Sequence, residues 1–110
     1  MAGLSRPALC SPEALADLDE IWDYYAGVAG PNVADKLIRE IGRVVTVIED
    51  HPLAGRSRNE VRAGLRPIAA NPHVAFYRVV NDRPEIVRVL DGRRDIDEIF
   101  TAPATITPPE

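Results

Sequence analysis

Residues 65–91 decide the fold. They read Leu65-Arg66-Pro67-Ile68-Ala69-Ala70, a break at Asn71-Pro72, then His73-Val74-Ala75-Phe76-Tyr77-Arg78-Val79-Val80. A second break at Asn81-Asp82-Arg83-Pro84 leads into Glu85-Ile86-Val87-Arg88-Val89-Leu90-Asp91. Runs rich in β-branched and aromatic side chains, joined by short Asn/Asp/Pro turns, predict an antiparallel meander. The last run is apolar on both faces apart from Arg88, which places it inside the sheet.

Upstream of a polar, turn-rich stretch at 52–64, the hydrophobic period changes from 2 to 3.6. Val33, Ala34, Leu37, Ile38, Ile41, Val44, Val45 and Ile48 form a wide apolar stripe on a helix running from Pro31 to about Asp50, ended by His51-Pro52. Leu15, Leu18, Ile21, Trp22, Tyr25 and Val28 form an earlier stripe, with Asp17, Asp19, Glu20 and Asp23 assigned to the solvent face. Ser11-Pro12-Glu13 starts that helix with a hydroxyl N-cap, proline at the first helical position and an acid in the first turn. Gly27 and Ala29-Gly30-Pro31 are expected to end it, leaving a break of about four residues inside an antiparallel helical hairpin.

Residues 4–10 read as a short edge strand limited by Pro7. Arg93–Phe100 reads as one short terminal helix. The expected order is β-α-α-β-β-β-α: an α+β fold with an antiparallel sheet and an α-helical hairpin packed on one face. Residues 1–100 form a single domain and 101–110, with three prolines, a flexible C-terminal tail. Only the short terminal helix is expected to cover the other sheet face, which makes that face a place for a partner.

A chain of 110 residues with 45% hydrophobic content supports one core. No run approaches the ~18 apolar residues of a membrane span, and the first residues lack the features of a signal peptide. Cys10 is the only cysteine, so an intrachain disulfide is excluded. These features predict a cytoplasmic protein without a membrane partner. Cys10, His51 and His73 do not fall at zinc-site spacing, and there is no phosphate loop, nucleophile elbow or H-E-x-x-H. The expectation is no cofactor and no metal, which leaves a small enzyme, a binding module, or a protein that occupies another protein.

The net charge of −4 hides a segregation. Residues 1–50 carry four basic and nine acidic side chains, a net −5; residues 56–94 carry nine arginines against four acids, a net +5. Arginine's fork suits contacts to carboxylate or phosphate. Ordinary ion pairs on a sheet surface would use the same residues. A pI of about 5.2 argues against direct sequence-specific nucleic-acid binding by this chain alone.

Five motifs, in order, carry a resemblance over roughly residues 4–100. They are Asp17-Leu18-x-x-Ile21-Trp22-x-Tyr24, His51-Pro52-x-x-Gly55-Arg56, Gly64-Leu65-Arg66, Phe76-Tyr77-Arg78-Val79, and Ile86-Val87-Arg88-Val89-Leu90-x-Gly92-Arg93-Arg94-Asp95. The set resembles the ParE toxins of the RelE/ParE superfamily, found in bacterial type II toxin–antitoxin systems. Asp91 departs from the pattern, because many relatives carry histidine there. The resemblance implies the fold read above, a ParD-like antitoxin in a hetero-oligomer, and inhibition of DNA gyrase. RelE-like relatives instead cut mRNA on the ribosome, and an inactive antitoxin-binding relative is a third reading.

No catalytic residue is assigned. His73 follows Asn71-Pro72 and reads as a turn residue rather than a general base, and Glu60 falls in an exposed loop. The candidates for contact with antitoxin or target are Trp22, Tyr25, Arg56, Arg58, Arg66, Tyr77, Arg93 and Arg94. Each has a plainer alternative: Trp22 and Tyr77 as core, and Arg93 and Arg94 paired with Asp95, Asp97 and Glu98.

Overall fold

The computed structural model describes residues 7–59, 62–94 and 99–100. Its elements are β1 (Leu9–Cys10), α1 (Pro12–Ala29), α2 (Pro31–Asp50), β2 (Arg66–Ala70), β3 (His73–Val80) and β4 (Arg83–Asp91). Residues 1–6, most of the expected terminal helix and the 101–110 tail lie outside the described residues; Ile99 and Phe100 are helical.

Ser11 both starts α1 and ties it to the sheet. Its Oγ accepts from the Ala14 N–H at 3.0 Å and donates to the Val87 carbonyl at 2.9 Å, while its own N–H donates to Ile86 O. The hairpin turns more tightly than expected. Gly30 alone separates the helices, at φ +97, and Gly27 stays inside α1. A left-handed backbone at that point explains why one residue suffices where four were expected. Trp22 Nε1 donates to Asp35 Oδ1 at 2.8 Å, stapling α1 to α2.

The sheet order is β1-β4-β3-β2, with β4 inside as expected. The meander β2–β3–β4 is antiparallel. The first strand corrects two expectations. It is two residues long, and it runs parallel to β4, Leu9 opposite Glu85 and Cys10 opposite Ile86. Chain direction explains this: β1 enters α1 directly, so the hairpin, not a turn, separates it from the rest of the sheet. Asn81 and Asp82, at φ 54 and 63, make a two-residue turn, so β4 begins at Arg83 rather than Glu85.

The helix-facing core holds Ile41, Ile48, Ala75, Tyr77, Ile86 and Val89, with Ala14 at the contact of α1 with it. A smaller cluster on the opposite face holds Leu65, Phe76 and Leu90, with Val74, Val87, Ile99 and Phe100 against it. One part of the expected α1 stripe is displaced. Leu15 and Val28 are 52% and 64% exposed, whereas Asp17, expected in solvent, is 7% exposed. The reason is a partner on β4, described next.

Candidate functional site

The pairing of β3 with β4 slips once. Phe76 lies opposite Arg88 but Tyr77 lies opposite Ile86, so Val87 is an extra residue in β4. This bulge lets both Val87 and Arg88 line a groove of about 650 Å³ on the open face. Its floor is apolar, from Val87, Ile99 and Phe100, and its walls carry Arg62, Arg78 and Arg88 with Glu13 and Glu85.

Each arginine is held differently. Arg78 Nε donates to Glu85 Oε1 at 2.8 Å, and the Arg62 guanidinium lies 5.6 Å over the Phe100 ring. Arg88 donates through Nε and NH2 to the two oxygens of Asp17, at 2.8 and 2.9 Å. The same carboxylate accepts from the Val89 N–H at 2.8 Å. Because β1 stops opposite Ile86, the edge of β4 would otherwise leave that buried donor unpaired. Asp17 satisfies it from α1, and the Asp17 hydrogen bonds push the Arg88 guanidinium above its ordinary pKa.

A second cleft, of about 400 Å³, lies between α1 and the ends of β3 and β4. Tyr25 meets Tyr24 edge-on at 5.0 Å and His73 edge-on at 5.9 Å, while Asp91, Arg93 and Arg94 form the far wall. His73 is not a turn residue. It is the first residue of β3 and is 4% exposed, with Nδ1 buried and, among the described residues, without a hydrogen-bond partner. Burial pushes its pKa down, against a smaller upward pull from Asp91. Arg93, for its part, pairs with Asp91 and holds that carboxyl well below the usual carboxylate range. Asp95, Asp97 and Glu98 lie outside the described residues, as does Glu60.

The structure therefore scatters the sequence-level candidates. Tyr25, Arg93 and Arg94 meet at the second cleft. Trp22 is half-buried and engaged with Asp35. Tyr77 does not reach the surface: fully buried, it donates its hydroxyl to Pro52 O at 2.7 Å and accepts from the Gly55 N–H at 2.8 Å. Arg66 donates to Gly55 O, so Tyr77 and Arg66 lock the 52–58 loop instead of offering contacts. A Cβ at Gly55 would sit 2.6 Å from Pro67 O, so only glycine fits there. Arg56 is exposed and Arg58 half-buried on that loop, the Arg58 N–H donating to Leu65 O. The groove residues Arg62, Arg78 and Phe100 were not among the candidates. Arg88 was visible as the one charge in an apolar strand, but its acidic partner was not.

Among the described residues no helix is long and apolar enough to cross a membrane, and no group of three acidic, histidine or cysteine side chains could hold a metal ion. The family model described as ParE toxin of type II toxin-antitoxin system, parDE, matches residues 9–96. Toxin ParE1 of Mycobacterium tuberculosis is 37% identical over 95 residues, covering 86% of this chain and 97% of that protein. Toxin ParE1 of Caulobacter vibrioides is 41% identical over 85 residues, covering 77% and 88%. A solved chain from the chromosomal ParDE TA system of P. aeruginosa superimposes with a TM-score of 0.69 at 27% identity, covering 79% of this chain and 96% of that one.

Proposed function

The chain belongs to the ParE toxins of type II toxin–antitoxin systems, and on that premise we propose that it is restrained by a ParD-like antitoxin and arrests growth by occupying DNA gyrase rather than by cutting a bond. The observation that carries the contact reading is the open-face groove: an apolar floor ringed by guanidiniums that keep N–H donors to spare. Arg78 uses one donor on Glu85, and Arg88 two on Asp17. An extended antitoxin segment with apolar and acidic side chains fits such a surface. Binding of this wrapping kind buries well over ~1,600 Å².

His73 supports a non-catalytic mechanism. Its ring lies under Tyr25 on the helix-facing side, and its Nδ1 is out of solvent, so it has no route to a substrate in the groove. The gyrase target rests on the family's association with that enzyme, and it places the toxin in the cytoplasm. Inducing the chain alone in a bacterial host, with DNA supercoiling and transcript integrity followed together, tests the proposal. Growth arrest with altered supercoiling and intact transcripts is expected, relieved by co-expressing the antitoxin. Message cut at the ribosome would replace it with the endoribonuclease reading.

A further inference from the structure

Arg93 and Arg94 are neighbours and both exposed, yet they are held differently. Asp91 accepts three hydrogen bonds from Arg93: Oδ1 from the backbone N–H at 2.9 Å and from Nε at 3.0 Å, Oδ2 from NH2 at 3.0 Å. The turn bearing this fork is itself pinned. Arg94 N donates to Asp91 O at 3.0 Å, and Gly92 N donates to Pro72 O at 2.9 Å. Among the described residues the Arg94 side chain makes no hydrogen bond or ion pair.

We propose that Asp91 is the positioning residue of Arg93, and that it splits the arginine pair into two kinds of contact. Arg93 is a fixed guanidinium whose charge is already matched, suited to an uncharged acceptor such as a partner's backbone carbonyl. Arg94, with no acidic partner among the described residues, is suited to a partner's carboxylate. Most exposed ion pairs are too loose to fix a side chain, but a bidentate fork closed by a backbone N–H is the geometry that does. Two of Arg93's five side-chain donors are taken, which leaves the others to solvent beside the second cleft. A side chain fixed before binding does not lose its rotamer freedom on binding, a saving of about two- to tenfold in affinity. A charge-matched contact is also insensitive to salt, whereas a free cation facing a carboxylate is not.

The inference rests on the proposed antitoxin binding and on its segment reaching past the groove to Arg93 and Arg94 at the second cleft, so its test has one arm without a partner. In the free protein, the Arg93 Nε–H NMR signal should be ordered and slow to exchange, the Arg94 signal averaged, and Asp91→Asn should make Arg93 resemble Arg94. The second arm titrates the ParD-type antitoxin encoded beside the toxin, at low and high salt. Arg94→Ala should flatten the salt dependence, whereas the charge-neutral double change Arg93→Ala with Asp91→Asn should weaken binding without changing it. Asp91→Asn should weaken binding about two- to tenfold, with an unchanged melting curve, and cause no further loss in an Arg93→Ala background. An Arg93 as mobile as Arg94, or an Asp91→Asn effect that persists without Arg93, overturns the proposal. Failure of the wild-type chain to bind any ParD-type protein instead overturns the antitoxin reading, while the NMR arm still decides the clamp.

Discussion

The two faces of the sheet are built from the same kinds of residue and put to different uses. On the helix-facing side, Ile86, Val89, Ala75 and Tyr77 meet α1 and α2, and the buried carboxylate there, Asp17, has each oxygen matched to a donor. On the open side, Phe76 and Leu90 are buried but Val87 is only half-covered, and three arginines surround a groove. The bulge at Val87 separates the two regimes, because it brings two consecutive side chains of β4 to the groove. A face whose buried carboxylate is fully matched, and which leaves only His73 Nδ1 unpaired among the described residues, contributes stability. A face with donors to spare has binding capacity that folding leaves unused.

The contrast breaks first if truncations on the two faces cost the same. Ile41→Ala and Ile48→Ala each remove a side chain at most 3% exposed and should cost ~2–5 kcal/mol in denaturant unfolding. Val87→Ala, on the half-covered face, should cost about 1 kcal/mol. Equal losses would show that the open face is core as well.

Next in size is the polar seam. Asp17→Ala leaves the Val89 N–H and the Arg88 guanidinium without their acceptor, a loss of about 1–3 kcal/mol. Hydrogen exchange at the Val89 amide should lose its protection, whereas Asp19→Ala, on the exposed face of α1, should change neither quantity. A silent Asp17→Ala would mean that water can replace the carboxylate.

Asp17 also marks where the sequence stops being legible. The strand meander, the two helices, the Ser11 cap and the uncovered face follow from period and turn chemistry, which are local. Whether a carboxylate at one position of α1 faces solvent or Arg88, 71 residues later, depends on where β1 ends, and no local pattern records that. The same holds for Tyr77. A tyrosine in a sheet reads as core or contact, and only the approach of Gly55 and Pro52 shows its hydroxyl holding a loop. The groove was legible as an uncovered face and an arginine-rich half. Its particular arginines were not, because the bulge that brings Arg88 to it is a register slip between strands.

A smaller effect should appear with pH. Burial holds the folded-state pKa of His73 below its ordinary value of 6.5, so the neutral ring contributes stability that is fully present above about pH 6.5. That contribution is lost as pH falls from there toward the folded-state pKa. Unfolding free energy measured between pH 7 and pH 5 should therefore decline less steeply in His73→Leu than in the wild type. His73→Leu should also leave growth arrest nearly intact, as the closed-face assignment requires. Parallel pH profiles would show that His73 is not buried neutral.

The smallest effect on folding belongs to Arg62, and it separates the faces most sharply. Its side chain is exposed, and its one contact among the described residues is the Phe100 ring, an interaction worth about 0.5–1 kcal/mol at exposed sites. Arg62→Ala should therefore move the unfolding midpoint little. If the groove is the contact surface, the same change removes a guanidinium that would be desolvated in the complex, and such truncations weaken binding by about 2–5 kcal/mol. The two numbers trend in opposite directions for Ile48→Ala, which lowers stability while leaving the groove's chemistry in place. Measuring antitoxin affinity and unfolding free energy on both variants makes a two-by-two comparison. Two large off-diagonal differences would assign folding to one face and recognition to the other, whereas an Arg62→Ala toxin with full antitoxin affinity would move recognition away from the groove to the second cleft, where Tyr24 and Arg94 stand exposed.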